Sequence, residues 1–416
     1  MIKGIGYDDY NRISRSHDLP EWLKTDILAP MNNSEMMTWY EINLGAIRKN
    51  IQMLTHLTGV PILAVVKANG YGHGMVEVSR VAEEEGVAWL GVARVEEGVR
   101  LRQEGIQTNI LVMGYTPPDT VPVALQAKLT LAVFHPETAQ AYQYQAAQVN
   151  GRLPLHVKFD SGMGRLGYFP EDGLDFVRWI TQQPNLILDG IFTHLACADE
   201  PENPVTNTQL ERFDKLIGQL GQQQLIPKWV HAANSAGAIY FPQARYNLVR
   251  PGIALYGQNP SPQAPLPVGF LPAMSFKSRL SSIKTLPADH GVSYGHRYRT
   301  RKPERVGVVS AGYADGYRRS DNAYVLIRGK RVPGIGVVCM DQMVVSLDQV
   351  PDAQVGDEVI LFGHQGRQTI SVDELAREWG TITYEVICAA TSRPFRVYID
   401  NTGDKKLAHS NNFIKH

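Results

Sequence analysis

Residues 61–74 read PILAVVKANGYGHG, and this stretch decides the fold. Its first part, Pro61–Val66, is apolar throughout, which predicts a short strand buried on both faces, as in a parallel sheet. Its second part begins with Lys67 and is rich in glycine, which predicts a flexible loop directly after the strand. We therefore expect Lys67 to lie at the carboxyl end of a buried strand, where barrel enzymes carry their active sites.

Seven further apolar runs follow Pro61–Val66 along the chain, and the segments between them have helical periodicity. These runs are Val87–Val92, Asn109–Met113, Leu129–Phe134, Leu153–Asp160, Leu186–His194, Ile226–Asn234 and Tyr246–Tyr256. An amphipathic helix is also predicted at Leu44–Leu57, before the first run. Eight strand and helix units in succession predict an α/β protein with a (β/α)₈ TIM barrel, a fold of about 250 residues.

The pattern changes after the eighth run. Residues 257–272 are crowded with proline and glycine, so no regular element can continue through them. Beyond them, strand-like pieces such as Phe276–Thr285 and Arg305–Ser310 alternate with Gly-rich turns and predict a mostly β C-terminal domain. The predicted organisation is an N-terminal extension whose lack of periodicity is compatible with disorder, a barrel, a β domain and a tail, at 1–37, 38–265, 266–404 and 405–416.

The composition excludes several classes of partner. The 416 residues include 41 basic and 41 acidic side chains, and no block of like charge stands out, so neither nucleic acid nor a membrane surface is expected. The three cysteines, Cys197, Cys339 and Cys388, are far apart, which argues against a metal site and a disulfide framework. The absence of a long apolar run and of a signal-like N-terminus predicts a soluble cytoplasmic protein.

Chemically active residues collect at the predicted strand ends. A desolvated lysine such as Lys67 can act as a nucleophile or base, although taken alone it also fits an exposed loop residue. The other strand ends add Lys158, Arg165, His194, His231, Ser235 and Arg250. This grouping is hard to explain as core packing, although His73, His231 and Tyr313 each fit a structural role equally well.

One motif suggests a different enzyme. Gly162–Gly167 matches the G-x-G-x-x-G pattern of dinucleotide-binding proteins, and Asp189 follows at about the required distance of 20 residues. However, Phe169 and Pro170 place the helix start after the last glycine. An NAD oxidoreductase is therefore the weakest of the functional alternatives.

The strand ends together resemble the alanine racemase family of fold-type III pyridoxal-phosphate (PLP) enzymes, from about Trp39 to Tyr398. Two segments are most specific, AVVKANGYGHG at 64–74 and GVSYG at 291–295. Further agreement is found in GMGR at 162–165, TH at 193–194, VRPGIALYG at 249–257, AGYADG at 311–316 and CMDQ at 339–342.

The resemblance implies that Lys67 carries PLP and acts as the base on one face of the substrate α-carbon, with Tyr294 on the other. Racemisation needs two such groups, because a proton removed from one face is returned from the opposite face. Tyr294 would come from the partner in a head-to-tail homodimer. A phenol is a weak base unless a neighbour stabilises its anion, and His194 and Arg250 are the family's candidates for that help.

The resemblance also assigns the remaining site residues. The phosphate would contact Tyr71, Ser235 and the backbone of Gly252 and Ile253, and Arg250 would face the pyridine nitrogen. Arg165, Met340 and Asp341 would bind the substrate carboxylate, and Lys158 aligns with a lysine that is carbamylated in some members. Tyr313 matches an entrance residue, and Ser392 departs from the family's tyrosine there.

The implied reaction is interconversion of L- and D-alanine, which supplies D-alanine for peptidoglycan. Because Ser392 is smaller than tyrosine, a broader racemase that also accepts serine is one alternative. A PLP-dependent amino-acid decarboxylase is another, although it would lack the Tyr294 segment. A PLP carrier without turnover would be a lone barrel, which the long segment after Pro272 argues against.

Overall fold

The computed structural model describes residues 36–320 and 322–400 and the backbone of 405–408. The predicted N-terminal extension at 1–37 lies outside the described residues except for its last two, and so does the end of the predicted tail. From Thr38 onward the chain begins with β1 (Thr38–Asn43) and α1 (Leu44–Thr58).

Local sequence explains both ends of α1. The Asn43 side chain accepts a hydrogen bond from the backbone N–H of Ala46 at 2.9 Å, which caps the first turn. At the other end Gly59 adopts a φ of 67° and its N–H bonds to Thr55 O, so the helix stops there. Between the caps, Ile47, Ile51 and Leu54 share one face and are buried.

Seven parallel strands form the barrel wall and hydrogen-bond to one another in chain order. They are β2 (Leu63–Val65), β3 (Trp89–Val92), β4 (Asn109–Val112), β5 (Thr130–Val133), β6 (Leu153–Lys158), β7 (Leu186–Phe192) and β8 (Trp229–His231). The intervening helices are α2 (Lys67–Tyr71), α3 (Met75–Glu84), α4 (Val95–Gln103), α5 (Val121–Gln126), α6 (Pro136–Gln148), α7 (Gly173–Thr181), α8 (Val205–Gln222) and α9 (Ser235–Tyr240).

The eighth predicted strand, Tyr246–Tyr256, is shorter than expected but still closes the ring. Val249 O accepts the N–H of Leu63 at 2.8 Å, and Pro251 O accepts that of Val65 at 3.0 Å. On the other side, Arg250 donates its N–H to Ala233 O at 2.9 Å. Since Pro251 has no N–H and Ile253–Tyr256 is a 3₁₀ turn, no longer ladder forms.

The second domain is mostly β, as predicted. Its strands are β9 (Met274–Leu286), β10 (Gly291–Val292), β11 (Tyr298–Arg299), β12 (Glu304–Val309), β13 (Tyr324–Ile327), β14 (Lys330–Pro333), β15 (Met343–Ser346), β16 (Glu358–Gln365), β17 (Gln368–Ile370), β18 (Phe395–Ile399) and β19 (Lys405–Ala408). Two helices, α10 (Val372–Glu378) and α11 (Thr383–Cys388), precede β18. The predicted fold class, a barrel followed by a β domain, is confirmed.

Sheet pairing changes the predicted boundaries at both ends. β1, which we assigned to the barrel at 38–265, pairs antiparallel with β9 and parallel with β18 in the sheet of the β domain. β19, which falls in the predicted tail at 405–416, pairs antiparallel with β18. The two cases have different reasons: the partners of β1 lie far away in sequence, whereas β19 pairs with β18, the strand that precedes it.

Arg396 in β18 links the β domain to the loop that follows β2. The side chain is 2% exposed. Its Nε donates to Gly72 O at 2.7 Å, and its two Nη atoms donate to Ala390 O at 3.1 Å and Thr391 O at 3.3 Å. Nearby, a Cβ atom at Gly74, where φ is +101°, would lie 1.8 Å from the Tyr398 hydroxyl. The β domain therefore packs directly on the Gly-rich loop.

No helix of the described residues is long and apolar enough to cross a membrane. Within the same ranges, no group of three or more histidine, cysteine, aspartate or glutamate side chains is arranged to hold a metal ion.

We expect Arg396→Met to lower the free energy of unfolding by about 3 kcal/mol, because three carbonyl groups lose a charged donor inside the protein. Urea unfolding of the purified protein measures this change. Arg178→Met is the matched control, since Arg178 pairs with Asp175 on the surface of α7. Its loss should stay within about 0.5 kcal/mol. Equal losses for the two variants would contradict this role of Arg396.

Candidate active site

Lys67 follows Val66, the buried residue after β2, and begins α2, a short segment whose backbone forms an unusual turn. Ala68, Asn69 and Gly70 have φ values of 53°, 53° and 62°, and Tyr71 has 51°. This left-handed conformation is unfavourable for residues other than glycine, at a cost of about 1–3 kcal/mol each. Such a turn persists only where its surroundings hold it.

Side chains on both sides hold the turn. Glu97 accepts the N–H of Ala68 and that of Ala93, each at 2.7 Å, so one carboxylate joins the loops after β2 and β3. The Asn69 side chain accepts the N–H of Met75 at 3.0 Å. His73 is fully buried, and its Nδ1 lies 3.1 Å from Gly70 O. Burial lowers the pKa of His73 to about 3, so the ring is neutral and donates from Nδ1. His73 thus has the structural role that the sequence allowed.

A cavity of about 470 Å³ opens at the carboxyl ends of the barrel strands. It brings together the predicted residues Lys67, Tyr71, Lys158, Arg165, His194, Ser235, Arg250, Gly252 and Ile253. Tyr384 and Cys388 of α11 complete its wall. The strand ends that are dispersed in sequence therefore meet around one space, as the barrel prediction requires.

The cavity is rich in cations. Burial and the neighbouring Arg165 lower the pKa of Lys67, while Glu97 opposes the shift. Burial, Arg165 and Arg250 lower the pKa of Lys158 to about 8, and its Nζ donates to Leu166 O. Both amines are therefore easier to deprotonate than a free lysine, and the site is suited to an anionic or electron-rich ligand.

Arg250 is the most deeply buried cation of the site, at 4% exposed. One Nη donates to His231 Nδ1 at 2.9 Å, and the other donates to Thr193 O at 2.7 Å and to Ala232 O at 2.9 Å. The second Nη also lies 3.3 Å from His194 Nδ1. Burial lowers the pKa of Arg250 to about 9, which still leaves the guanidinium charged at neutral pH. Burial and then Arg250 hold the pKa of His194 well below its usual value.

One end of the cavity is suited to a phosphate. The Ser235 hydroxyl accepts the N–H groups of Gly252 at 2.9 Å and Ala254 at 3.2 Å, which leaves its own O–H to donate. A Cβ atom at position 252 would lie 2.5 Å from the Tyr71 hydroxyl, so only glycine lets the backbone approach that group. Hydroxyl and backbone donors around a glycine are typical of an anion site.

The G-x-G-x-x-G motif does not form a dinucleotide site in this structure. Asp160 accepts the N–H groups of Gly162, Met163 and Gly164 on one oxygen and that of Arg165 on the other, at 2.7–3.1 Å. The glycines thus form a loop that places Arg165, and α7 begins only at Gly173. A dinucleotide site needs these glycines to open the helix, so the NAD interpretation is wrong.

Tyr294, Met340 and Asp341 do not line the barrel cavity. They line a second cavity of about 630 Å³ in the β domain, where the Tyr294 side chain is 72% exposed. Tyr313 lines a third cavity together with Cys388, which also borders the barrel cavity. Ser392 follows α11 and is exposed. Within a single chain, therefore, the two predicted bases stand in separate cavities.

Sequence reasoning missed three residues of the site. Glu97 supports the turn after Lys67, and its only sequence signal is an acid in the first turn of α4, which is common in helices. His156 is buried 2.8 Å from His231, the ring that contacts Arg250, and Asp189 lies 3.6 Å from the other side of the His156 ring. In the sequence, Asp189 stands out only as part of the dinucleotide motif.

Comparison with known proteins matches this arrangement over both domains. The family model of the alanine racemase N-terminal domain matches residues 42–260, and that of the C-terminal domain matches 273–398. A curated alanine racemase of Symbiobacterium thermophilum is 44% identical over 364 residues, which cover 87% of this chain and 97% of the relative.

Solved structures agree. The alanine racemase of Clostridium difficile 630 has a TM-score of 0.84 at 38% identity and covers 89% of this chain and 98% of its own. The alanine racemase of Bacillus anthracis with bound L-Ala-P has a TM-score of 0.87 at 37% identity and covers 93% of this chain and 100% of its own. The chain therefore belongs to the alanine racemase family and is an isomerase.

Proposed function

We propose that this isomerase interconverts L- and D-alanine with PLP attached to Lys67. The observation that best supports the proposal is the cavity at the strand ends, where a lysine of lowered pKa faces a donor-only arginine and an anion site. The solved alanine racemase of Bacillus anthracis, which has the same architecture, contains bound L-Ala-P. The family assignment favours racemisation over the decarboxylase and carrier alternatives.

The residues present fit PLP. Tyr71, Ser235, Gly252 and Ile253 would hold its phosphate, and Arg250 would contact its ring nitrogen. When bound, PLP makes the α-hydrogen of an attached amino acid acidic. Arg250 can only donate a hydrogen bond and keeps its own proton, so it would leave the ring nitrogen unprotonated. Arg250 would thereby limit how much electron density is drawn away from the α-carbon, which favours rapid return of a proton to that carbon over side reactions.

Lys67 would move the proton on one face of the α-carbon. Burial and the neighbouring Arg165 lower the pKa of its amine, so Nζ releases a proton more readily than the amine of a free lysine does. Its position depends on the left-handed turn that Glu97 and Asn69 hold. Arg165 would bind the substrate carboxylate and so orient the α-carbon toward Lys67.

Tyr294 would serve the opposite face from the partner subunit of a head-to-tail homodimer. Support comes from its exposure and from its separation from Lys67 within one chain. Met340 and Asp341, the other proposed substrate ligands from this side, line the same cavity as Tyr294. His194, held neutral beside Arg250, would assist the phenol. Each active site would then contain residues of two subunits.

Lys158 would be carbamylated and would orient Arg165. A carbamate forms on the neutral amine, and the pKa of about 8 makes that form far more abundant near neutral pH than it is in a free lysine. Addition of CO₂ to the amine, with loss of a proton, creates an anion among cations. That negative charge would offset Arg165 and Arg250, the two cations that lower the pKa of Lys158.

The physiological role we propose is supply of D-alanine for peptidoglycan in the cytoplasm. Tyr313 would line the substrate entrance, which the cavity shared with Cys388 supports. Ser392, small and exposed, supports admission of serine as a second substrate.

Incubation with L-alanine in deuterated water should yield D-alanine that carries α-deuterium, because one base removes the α-proton while the other delivers a deuteron that it has taken from the solvent. Chiral chromatography and mass spectrometry measure both products, and a parallel incubation with L-serine tests substrate breadth. Absence of D-alanine and of α-exchange would contradict the proposed function. Negligible turnover of L-serine would contradict only the role of Ser392.

Lys67→Ala and Tyr294→Phe should each lower kcat by about a thousandfold, because each removes one proton-transfer group. If the active sites are shared, mixed dimers of the two variants contain one intact site. After subunit exchange, the mixture should recover about a quarter of wild-type activity. Lys67→Ala mixed with itself is the control. If the mixture is as inactive as each variant alone, the proposal that two subunits share each active site is wrong.

The carbamate on Lys158 should increase as the pH rises from about 6 to about 8, because deprotonation of the amine then supplies the reactive form. Carbon-13 NMR of protein equilibrated with labelled bicarbonate measures it. Lys158→Met should abolish the signal, whereas Lys128→Met, at an exposed loop lysine, should leave it unchanged. A signal that is missing in the wild type, or present in Lys158→Met, would refute the modification.

A further inference from the structure

A line of buried polar side chains runs from Arg250 into the barrel interior. The Arg250 guanidinium lies 2.9 Å from His231 Nδ1, and His231 Nε2 lies 2.8 Å from His156 Nδ1. His156 Nε2 then lies 3.6 Å from Asp189 Oδ2. Both histidines are 0% exposed, and the Asp189 side chain is 26% exposed. We refer to Asp189, His156 and His231 as the Arg250 array.

The donors and acceptors in the Arg250 array can be arranged in only one way. A guanidinium donates and never accepts, so His231 Nδ1 is the acceptor and the ring carries its proton on Nε2. That proton points to His156 Nδ1, which in turn leaves the His156 proton on Nε2, toward Asp189. Burial lowers the pKa of both histidines, which agrees with two neutral rings.

Several features of the barrel place these rings. β6 and β7 pair Leu155 with Leu188 but His156 with Gly190, so Asp189 is the extra residue of a β-bulge. Bulges redirect side chains, and this one brings Asp189 to His156. A Cβ atom on Gly190 would lie 2.7 Å from the His156 ring, so glycine makes room for it. The Phe192 ring stacks on His231 at 4.8 Å and 3°.

The Arg250 array also offers a negative charge for the buried Arg250 cation. Arg250 is buried among carbonyl groups and neutral rings, and no carboxylate of the described residues contacts it. A buried cation without a counter-charge is costly. Asp189 is the carboxylate at the far end of the array, where its charge acts on the His156 ring across 3.6 Å, and the two hydrogen bonds from His156 through His231 to Arg250 polarise one another.

We propose that the Arg250 array positions Arg250 and supplies its remote counter-charge, so that the guanidinium presents a fixed donor to the cofactor ring. His231 and His156 are positioning residues in this scheme, and Asp189 is its anionic end. The effect on the cofactor rests on the proposed function, whereas the proton arrangement in the array does not.

Nitrogen-15 NMR of histidine-labelled holoprotein tests the proton arrangement. His231 and His156 should both be neutral with the proton on Nε2, and His231→Gln and His156→Gln identify their signals. A protonated Nδ1 on His231, or a doubly protonated ring at either position near neutral pH, would overturn the inference. This result is independent of which amino acid the enzyme racemises.

Asp189→Asn tests the counter-charge. The amide preserves the shape of the side chain but removes its charge, so we expect the Kd for PLP to rise about tenfold and the absorbance band of the bound cofactor to shift. KM for L-alanine should change by less than about twofold, since the substrate does not contact Asp189. Asp175→Asn, at an exposed surface aspartate, is the matched control and should change none of these quantities.

His231→Gln and His231→Leu separate positioning from packing. Glutamine offers an acceptor to Arg250 and a donor to His156, so it should keep kcat and PLP affinity within about threefold, whereas leucine should lower both by at least about tenfold. Equal effects of the two variants, or an unshifted absorbance band in His231→Leu and Asp189→Asn, would overturn the inference. A wild-type protein that fails to racemise alanine would instead overturn the proposed function.

Discussion

Lys67 begins a turn of unfavourable backbone conformation, and residues of both domains hold it in place. Three residues other than glycine have positive φ in this turn. Glu97 restrains it from the neighbouring barrel loop, and Arg396 restrains it from the β domain. Because strain of this kind persists only under several restraints, both domains take part in the geometry of one lysine. The second domain is thus part of the site as well as a neighbour of it.

The pKa values of the cations in the cavity are set by burial more than by ion pairing. Lys67, Lys158 and Arg250 all have pKa values lowered mainly by desolvation. The histidines beside them are neutral for the same reason and because of the cations. The cationic side chains of the cavity would be balanced by a ligand that carries a phosphate and a carboxylate. The binding of an anionic ligand and the ionisation of the amines are therefore coupled.

The sequence predicted those features that depend on local pattern. The barrel strands were visible because burial on both faces makes them apolar throughout, and Lys67 was visible because glycines follow it. Pairing over long distances leaves no local pattern, and β1 fell within the predicted barrel boundaries because its partners, β9 and β18, begin beyond residue 270. Likewise, Asp189 reaches His156 through a bulge, and no local pattern records where a sheet shifts its register. Pro251, by contrast, is evident in the sequence, and it limits the eighth strand because proline has no N–H to donate to a neighbouring strand.

The placement of β1 has a consequence for how the chain is made. A ribosome releases β1 before any barrel strand, yet the strands that flank it, β9 and β18, emerge only after the whole barrel. The barrel strands pair mainly with the strands next to them in sequence, so the barrel can form while β1 is still unpaired. During that interval its buried residues Trp39, Tyr40 and Ile42 are exposed. An unpaired apolar strand is open to association with other chains, so the nascent protein is most vulnerable before its last strands emerge.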